Sequence, residues 1–195
     1  MKYGKLCLIL SLLISLLSFS HKSSAQENLL GGGVEIAVPM GDLADITSSG
    51  FGISLRNDKV LTDQLSFTGQ SGINFYLIQD DFKEFINSYI QFPLQIGLSY
   101  YPNGVGYGFF GGVKAGMHLN YYSTEEIETA GGTTGGVAET GYNWSAAGEV
   151  GYAIDGYYSI GLRYQYVGSG GDTSGTQFGG DAYSYIALTG IYYFN

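Results

Sequence analysis

YIQFPLQIGLSYY, residues 89–101, alternates between large apolar side chains and small or polar ones. Ile90, Phe92, Leu94, Ile96, Leu98 and Tyr100 share one parity; Gln91, Pro93, Gln95, Gly97 and Ser99 share the other. Successive side chains of a strand point to opposite faces, so this segment reads as a strand with one greasy and one polar face. At about 3.3 Å per residue it exceeds the usual strand of a soluble sheet and is long enough to cross a tilted bilayer. The alternation recurs up to YSYIALTGIYYFN at 183–195. Repeated strands of this kind predict an all-β chain, an eight-stranded antiparallel up-and-down transmembrane β-barrel.

The chain begins differently. Lys2 and Lys5 precede an apolar run from Leu6 to Phe19, and Ser23-Ser24-Ala25 then offers small residues for cleavage. This is the pattern of a signal peptide over 1–25, leaving a barrel domain over 26–195. A retained anchor is the alternative, but a spanning helix needs about 20 apolar residues and this run is shorter. Cys7, the single cysteine, falls inside the leader, so the mature chain is expected to lack disulfides, thiolate metal ligands and thiol nucleophiles. Three of the eight Lys and Arg also lie there (Lys2, Lys5, Lys22) without any acid, so the mature chain holds five cations against seventeen acids, a net of −12. That balance argues against nucleic acid, which selects a basic footprint. Eighteen Tyr and eleven Phe are too many for a disordered acidic tail.

Turn chemistry divides the mature chain into strands at 31–39, 50–58, 65–78, 88–101, 105–121, 140–154, 157–167 and 183–194. Pro102-Asn103-Gly104 and Asp155-Gly156 read as tight turns, and 59–63 as a short polar one. The connections at 40–49, 79–87, 122–139 and 168–182 are longer, so long and short alternate, as in barrels with short periplasmic turns and longer external loops. The long loops hold Asp42, Asp45, Asp80, Asp81, Glu84, Glu125, Glu126, Glu128, Glu139, Asp172 and Asp181 against Lys83 alone. An acidic external surface is expected, with both termini at the periplasmic end.

Parity assigns the faces. Val105, Tyr107, Phe109, Val113, Ala115, Met117 and Leu119 oppose Lys114, His118 and Asn120; Tyr142, Trp144 and Val150 oppose Glu149; Ile160, Leu162 and Tyr164 oppose Arg163. Glu35 and Arg56 likewise fall opposite the apolar set of their strands. A cation on the lipid face at the midplane costs about 2–4 kcal/mol, so the apolar parity faces lipid and Glu35, Arg56, Lys114, Glu149 and Arg163 are expected to pair inside. An eight-stranded barrel has an interior just wide enough for its own side chains. The same charges could instead line a narrow conduction path. A soluble lipocalin-like barrel would need the opposite assignment, with the tyrosine-rich parity inside. Tyrosines near strand ends (Tyr100, Tyr101, Tyr107, Tyr121, Tyr122, Tyr142, Tyr157, Tyr158, Tyr192, Tyr193) read as interfacial girdles.

Three segments carry a resemblance. GGGVEIAVPMGDLADITSSGFGISL at 31–55, YIQFPLQIGLSYYPN at 89–103 and the closing IYYFN at 191–195 resemble the small outer-membrane β-barrel domain proteins of Bacteroidetes, related in shape to the OmpX/OmpW-type barrels. The likeness spans essentially the whole mature chain. It implies residence in the outer membrane of a Gram-negative cell, contact with its lipids and lipopolysaccharide, and recognition of the C-terminal aromatics Tyr192 and Phe194 by the barrel-assembly machinery. Asn195 after Phe194 departs from the many members that end on the aromatic itself.

Some such barrels modify lipid A, which makes catalysis a further possibility for the resemblance. A hydrolase needs a hydroxyl nucleophile beside a base; His118 is the single mature histidine, and Asn120 stands where the deacylases of this group carry a serine. His118 is expected to be an interior packing residue. Glu125, Glu126 and Glu128, or Asp172 and Asp181, offer oxygen ligands to calcium but lack the spacing of a recognised calcium loop. Solvated loop charge is the simpler reading, and the Gly-rich stretches at 131–136 and 168–180 suit surface loops. The expectation is a monomeric, cofactor-free, non-enzymatic outer-membrane protein with a structural or cell-surface interaction role, its acidic loops available to an extracellular ligand. The alternative is a porin-like narrow channel for small or hydrophobic solutes, and, third, a lipid-modifying enzyme.

Overall fold

The computed structural model describes residues 28–83, 86–124, 126–129, 132–135, 138–170 and 182–194. The leader at 1–25, Glu84, Glu125, Asp172, Asp181 and Asn195 lie outside the described residues. So do the side chains of Glu126, Glu128 and Glu139 and most of the two Gly-rich stretches.

Ten strands are present among the described residues: β1 (Asn28–Met40), β2 (Thr47–Thr62), β3 (Leu65–Ile78), β4 (Ile86–Tyr100), β5 (Gly108–Thr124), β6 (Glu126–Thr129), β7 (Gly132–Gly135), β8 (Ala138–Ile154), β9 (Tyr158–Val167) and β10 (Tyr183–Tyr193). Eight of them close a barrel in the order β1-β10-β9-β8-β5-β4-β3-β2, and β6 with β7 forms a separate two-stranded sheet. Every barrel pair is antiparallel, including the β1–β10 seam, where Gly31 lies opposite Tyr193 and Met40 opposite Ser184. Closure leaves no unpaired edge, the condition for a sheet in hydrocarbon. The shortest barrel strand has 10 residues, enough to span a bilayer when tilted.

The wall follows the expected parity. Val34, Ile53, Ile96, Val113, Val150 and Leu162 are exposed on the outside, while Glu35, Arg56, Gln95, Lys114, Glu149 and Arg163 are buried inside. The soluble-barrel assignment is therefore reversed by the structure. On β8 the outward aromatics Tyr142 and Tyr152 are ten residues apart, about 33 Å along the strand, and a tilt near 40° projects this onto an apolar band about 25 Å tall. Trp144 packs on Tyr166 (5.3 Å between ring centres) toward one rim, and Phe109 on Tyr152 (5.0 Å) toward the other.

Three expectations need correction. Residues 105–107 are not strand: β5 starts at Gly108, and 101–107 form a seven-residue connection in which Gly104 and Gly106 have positive φ, as does Gly108 where β5 begins. Val105 is accordingly not on the lipid face but packs inward against Leu29, Ile191 and Tyr193 on one side and Tyr101, Phe110 and Ala153 on the other. Tyr101, Tyr122 and Tyr193 are buried inside the barrel and do not belong to the girdle, whereas Tyr100, Tyr107, Tyr142, Tyr157, Tyr158 and Tyr192 are exposed. The Asp155-Gly156 turn forms as expected, with φ of 50° and 72°, the twist that suits a two-residue hairpin. A five-residue helix, α1 (Asp42–Ile46), joins β1 to β2 and buries Leu43 at the opposite end of the barrel.

Candidate functional site

The interior is the most elaborate part of the molecule, and all five charges expected there are found in it. They do not form one network. Near the short-turn end, Arg56 donates through Nε to Asp58 Oδ2 and through Nη1 to Glu149 Oε1, both at 2.8 Å. Lys114 pairs with the other oxygen of Glu149 and donates to Gln70 Oε1. Arg56 also meets Ser99 Oγ and Tyr101 Oη at 3.3 Å and lies 5.2 Å from the centre of the Phe110 ring. Asp58 accepts from Tyr193 Oη at 3.0 Å, from Tyr101 Oη at 3.4 Å and from Thr68. Arg163 stands apart, its Nη2 reaching both oxygens of Glu35 at 2.9 and 2.8 Å.

Asp58 was missed by the sequence reading, which placed it at the end of a strand beside a polar turn. It is fully buried. Its parity, shared with Ser54 and Arg56, was the signal that identifies it. With Asp58 included, three buried cations meet three buried anions among the described residues, so the core is electrically neutral. Ions withdrawn from water are tolerated only with this kind of pairing and hydrogen bonding.

Toward the long-loop end the interior changes to amides and phenols. Gln91 Oε1 accepts from Tyr76 Oη at 3.1 Å, and its Nε2 donates to Tyr89 Oη at 3.1 Å and Tyr183 Oη at 2.6 Å. The chain continues through Tyr183 to Asn120 (3.2 Å), Asn120 to Asn143 (2.8 Å) and Asn143 to the Gly168 carbonyl (2.8 Å). Leu43, Ile78, Ile86, Tyr122 and Val167 pack over it, with Ile46 and Phe82 against them. Both mouths are thus filled by apolar and aromatic side chains, and the ionic groups lie between.

His118 is fully buried and inward, as expected, with Nε2 3.3 Å from Tyr185 Oη. Its hydroxyl neighbour is a phenol, and the imidazole faces the lumen instead of lipid. A cavity of about 650 Å³ does open toward lipid, floored by Gly111 and Gly148 between Leu98 and Tyr164; it holds no histidine.

On the outside, Tyr192 and Phe194 both face outward. Tyr158, Tyr192 and Phe194 make an aromatic row with ring centres 5.2 and 5.7 Å apart. The Phe194 N–H donates to the Leu30 carbonyl at 2.7 Å, and its ring edge lies over Gly32, where an added Cβ would sit 3.1 Å away. The end of the chain therefore fastens across the β1–β10 seam. At the long-loop end Asp42, Asp45, Asp80 and Asp81 are exposed. Lys83 pairs with Asp80 at 2.6 Å in full solvent and holds that carboxyl below its usual range by hydrogen bond and charge.

No family model and no curated sequence matches the chain. Solved structures do. The N-terminal β-barrel domain of Pseudomonas aeruginosa OprF matches with a TM-score of 0.53 at 11% identity, covering 87% of this chain and 99% of that one. Ail, the attachment invasion locus protein of Yersinia pestis, gives 0.54 at 12% identity over 86% and 97% of the two chains. Ail in complex with the heparin analogue sucrose octasulfate gives 0.50 at 12% identity over the same shares. At such identities the likeness concerns the fold alone. The chain folds as a closed eight-stranded antiparallel barrel of the kind found in small outer-membrane proteins.

Proposed function

We propose that this protein is an integral outer-membrane barrel of the Bacteroidetes type, exported by a cleaved leader, whose core is structural and whose work is done at the cell surface. The observation that carries this reading is the interior. Arg56, Lys114 and Arg163 are each paired with a buried carboxylate, and side chains pack both mouths. A neutral, closed core supports a monomeric scaffold in contact with lipids and lipopolysaccharide. Tyr192 and Phe194 are the residues offered to the barrel-assembly machinery. The exposed Asp42, Asp45, Asp80 and Asp81 favour a cationic extracellular ligand. Ail, by contrast, has been captured with a polysulfated sugar, a ligand that this acidic rim would repel.

A narrow channel is the second reading. It is favoured by mid-strand polar atoms without a hydrogen-bond partner among the described residues: Ser54 Oγ, both amide atoms of Asn74, Gln95 Oε1, His118 Nδ1, and Nε and Nη1 of Arg163. Such groups are the ones a solute path would use. Planar-bilayer recording separates the two. The structural reading expects no steady unitary current; steady currents altered by Lys114→Ala or Glu149→Ala would establish transport. A lipid-modifying role resting on His118 is tested by lipid A composition on overexpression, expected to be unchanged and indifferent to His118→Ala.

A further inference from the structure

Residues 101–107 are longer than a hairpin turn requires, and they run beneath the barrel. The Tyr101 N–H donates to the Gln64 carbonyl at 2.7 Å and the Val105 N–H to the Asp63 carbonyl at 2.9 Å. Gln64 Nε2 returns a bond to the Pro102 carbonyl at 2.9 Å. On the far side the Gly156 N–H donates to the Gly106 carbonyl at 3.0 Å. One strap therefore ties together the other two turns at this end. At its middle, Val105 is the side chain shared by two apolar clusters, the Leu29, Ile191, Tyr193 group and the Tyr101, Phe110, Ala153 group. Directly above lie the phenols of Tyr101 and Tyr193 and the carboxylate they serve, Asp58.

The strap is bracketed by backbone that only glycine adopts readily. Gly104 has φ +102° and Gly108 φ +72°, one on each side of Val105. Gly106 between them has φ +88°, and a Cβ there would lie tightly, 3.2 Å from Gly156 Cα and from Leu29 Cδ1.

We propose that residues 105–107, carried between Gly104 and Gly108, are a hinged seal over the short-turn mouth. The segment turns on Gly104 and Gly108, releases the Val105–Asp63 and Gly156–Gly106 hydrogen bonds, and lifts Val105 away from its two clusters. Ser66 and Asp58 are then open to solvent from that side, while the closure at the long-loop end is untouched. This goes beyond the structural role proposed above and holds whether or not the loops bind a ligand.

The test uses thiol accessibility, which the sequence makes clean because Cys7 is its single cysteine. In a Cys7→Ser background, Ser66→Cys places a thiol under the seal and Ser145→Cys places one in the interior away from it; both parent serines are buried. Labelling is followed with a charged methanethiosulfonate in detergent micelles, with retention of the β-sheet signal checked for each variant. With the parent strap, Ser66→Cys is expected to react slowly. Val105→Ala removes the two partly buried methyl groups that bridge the clusters and should raise that rate several-fold, up to about tenfold. Gly106→Ala, through its strained φ, should act in the same direction, and the Ser145→Cys rate should stay constant. Rapid labelling of Ser66→Cys under the parent strap would show that the mouth is not sealed. Unchanged labelling in both folded strap variants would show that the strap is not the seal. An equal rise at both thiols would mean general loosening, and each of these results overturns the proposal.

Discussion

Replacing Glu149 by alanine interrogates the interior most severely, because one carboxylate serves two cations. Its Oε1 takes Arg56 and its Oε2 takes Lys114, and all three side chains are essentially inaccessible. After truncation Arg56 keeps Asp58 at 2.8 Å, but Lys114 keeps only the neutral amide of Gln70, and the core carries one uncompensated positive charge. Removing one partner of a buried pair destabilises by about 3–5 kcal/mol, since the remaining ion is neither paired nor hydrated. Removing both charges by Glu149→Gln with Lys114→Met should recover most of the loss, because a neutral replacement of similar volume is often tolerated. The assay is urea unfolding in lipid vesicles followed through Trp144, the single tryptophan, which lies on the outer wall and is exposed. A loss below about 1 kcal/mol for Glu149→Ala, typical of solvent-exposed pairs, would refute the claim that this network is shielded from water.

Other outcomes follow from the same geometry. At Gly97 an added Cβ would run into the Val113 carbonyl and the Lys114 backbone, whereas at Gly148 it would meet nothing within 4 Å. Gly97→Ala should therefore lower the unfolding midpoint or block assembly, and Gly148→Ala should be neutral to slightly stabilising, by about 0.5 kcal/mol. Val113→Arg places a cation on the lipid face and should cost about 2–4 kcal/mol, read as a fall in membrane-inserted protein, while the adjacent native Lys114 is accommodated inside. The Asp80 carboxyl should titrate below the ordinary aspartate range by NMR and return to it in Lys83→Ala. A depressed folded-state pKa stabilises above the unfolded value and is lost as pH falls through the folded one; because both groups are solvated, the unfolding midpoint should not move across that window.

Much of the architecture was legible because barrel strands repeat with period two and the charges of the strand interiors, Glu35, Arg56, Asp58, Lys114, Glu149 and Arg163, fall on the inward parity. Lys59 near the end of β2 is the exposed exception among the described residues of the barrel strands. Strand ends were less so. β1 begins at Asn28 because it pairs with Lys59 of β2, and β2 runs to Thr62 because that residue pairs with Leu65 of β3, partnerships no local pattern announces. Residues 105–107 imitate a strand because the glycines at 104, 106 and 108 preserve the alternation while their positive φ breaks it. Tyr101, Tyr122 and Tyr193 resemble girdle residues by type, but their own parity points inward. The phenols of Tyr101 and Tyr193 make inward positions tolerable by reaching Asp58. The division of the interior into an Arg56, Asp58, Lys114, Glu149 group and a separate Arg163–Glu35 pair depends on how the strands are staggered around the barrel, which sets the height of each charge and is invisible in any one strand.

Which face of the wall meets lipid can be read directly from one profile. Spin labels carried on single cysteines at positions 144 to 150 of β8, with Cys7 replaced, can be scanned for collision with oxygen in reconstituted vesicles. Collision should rise at Trp144, Ala146, Gly148 and Val150 and fall at Ser145, Ala147 and Glu149. A flat profile, or one with the opposite phase, would contradict a barrel with apolar side chains in lipid and its charges enclosed.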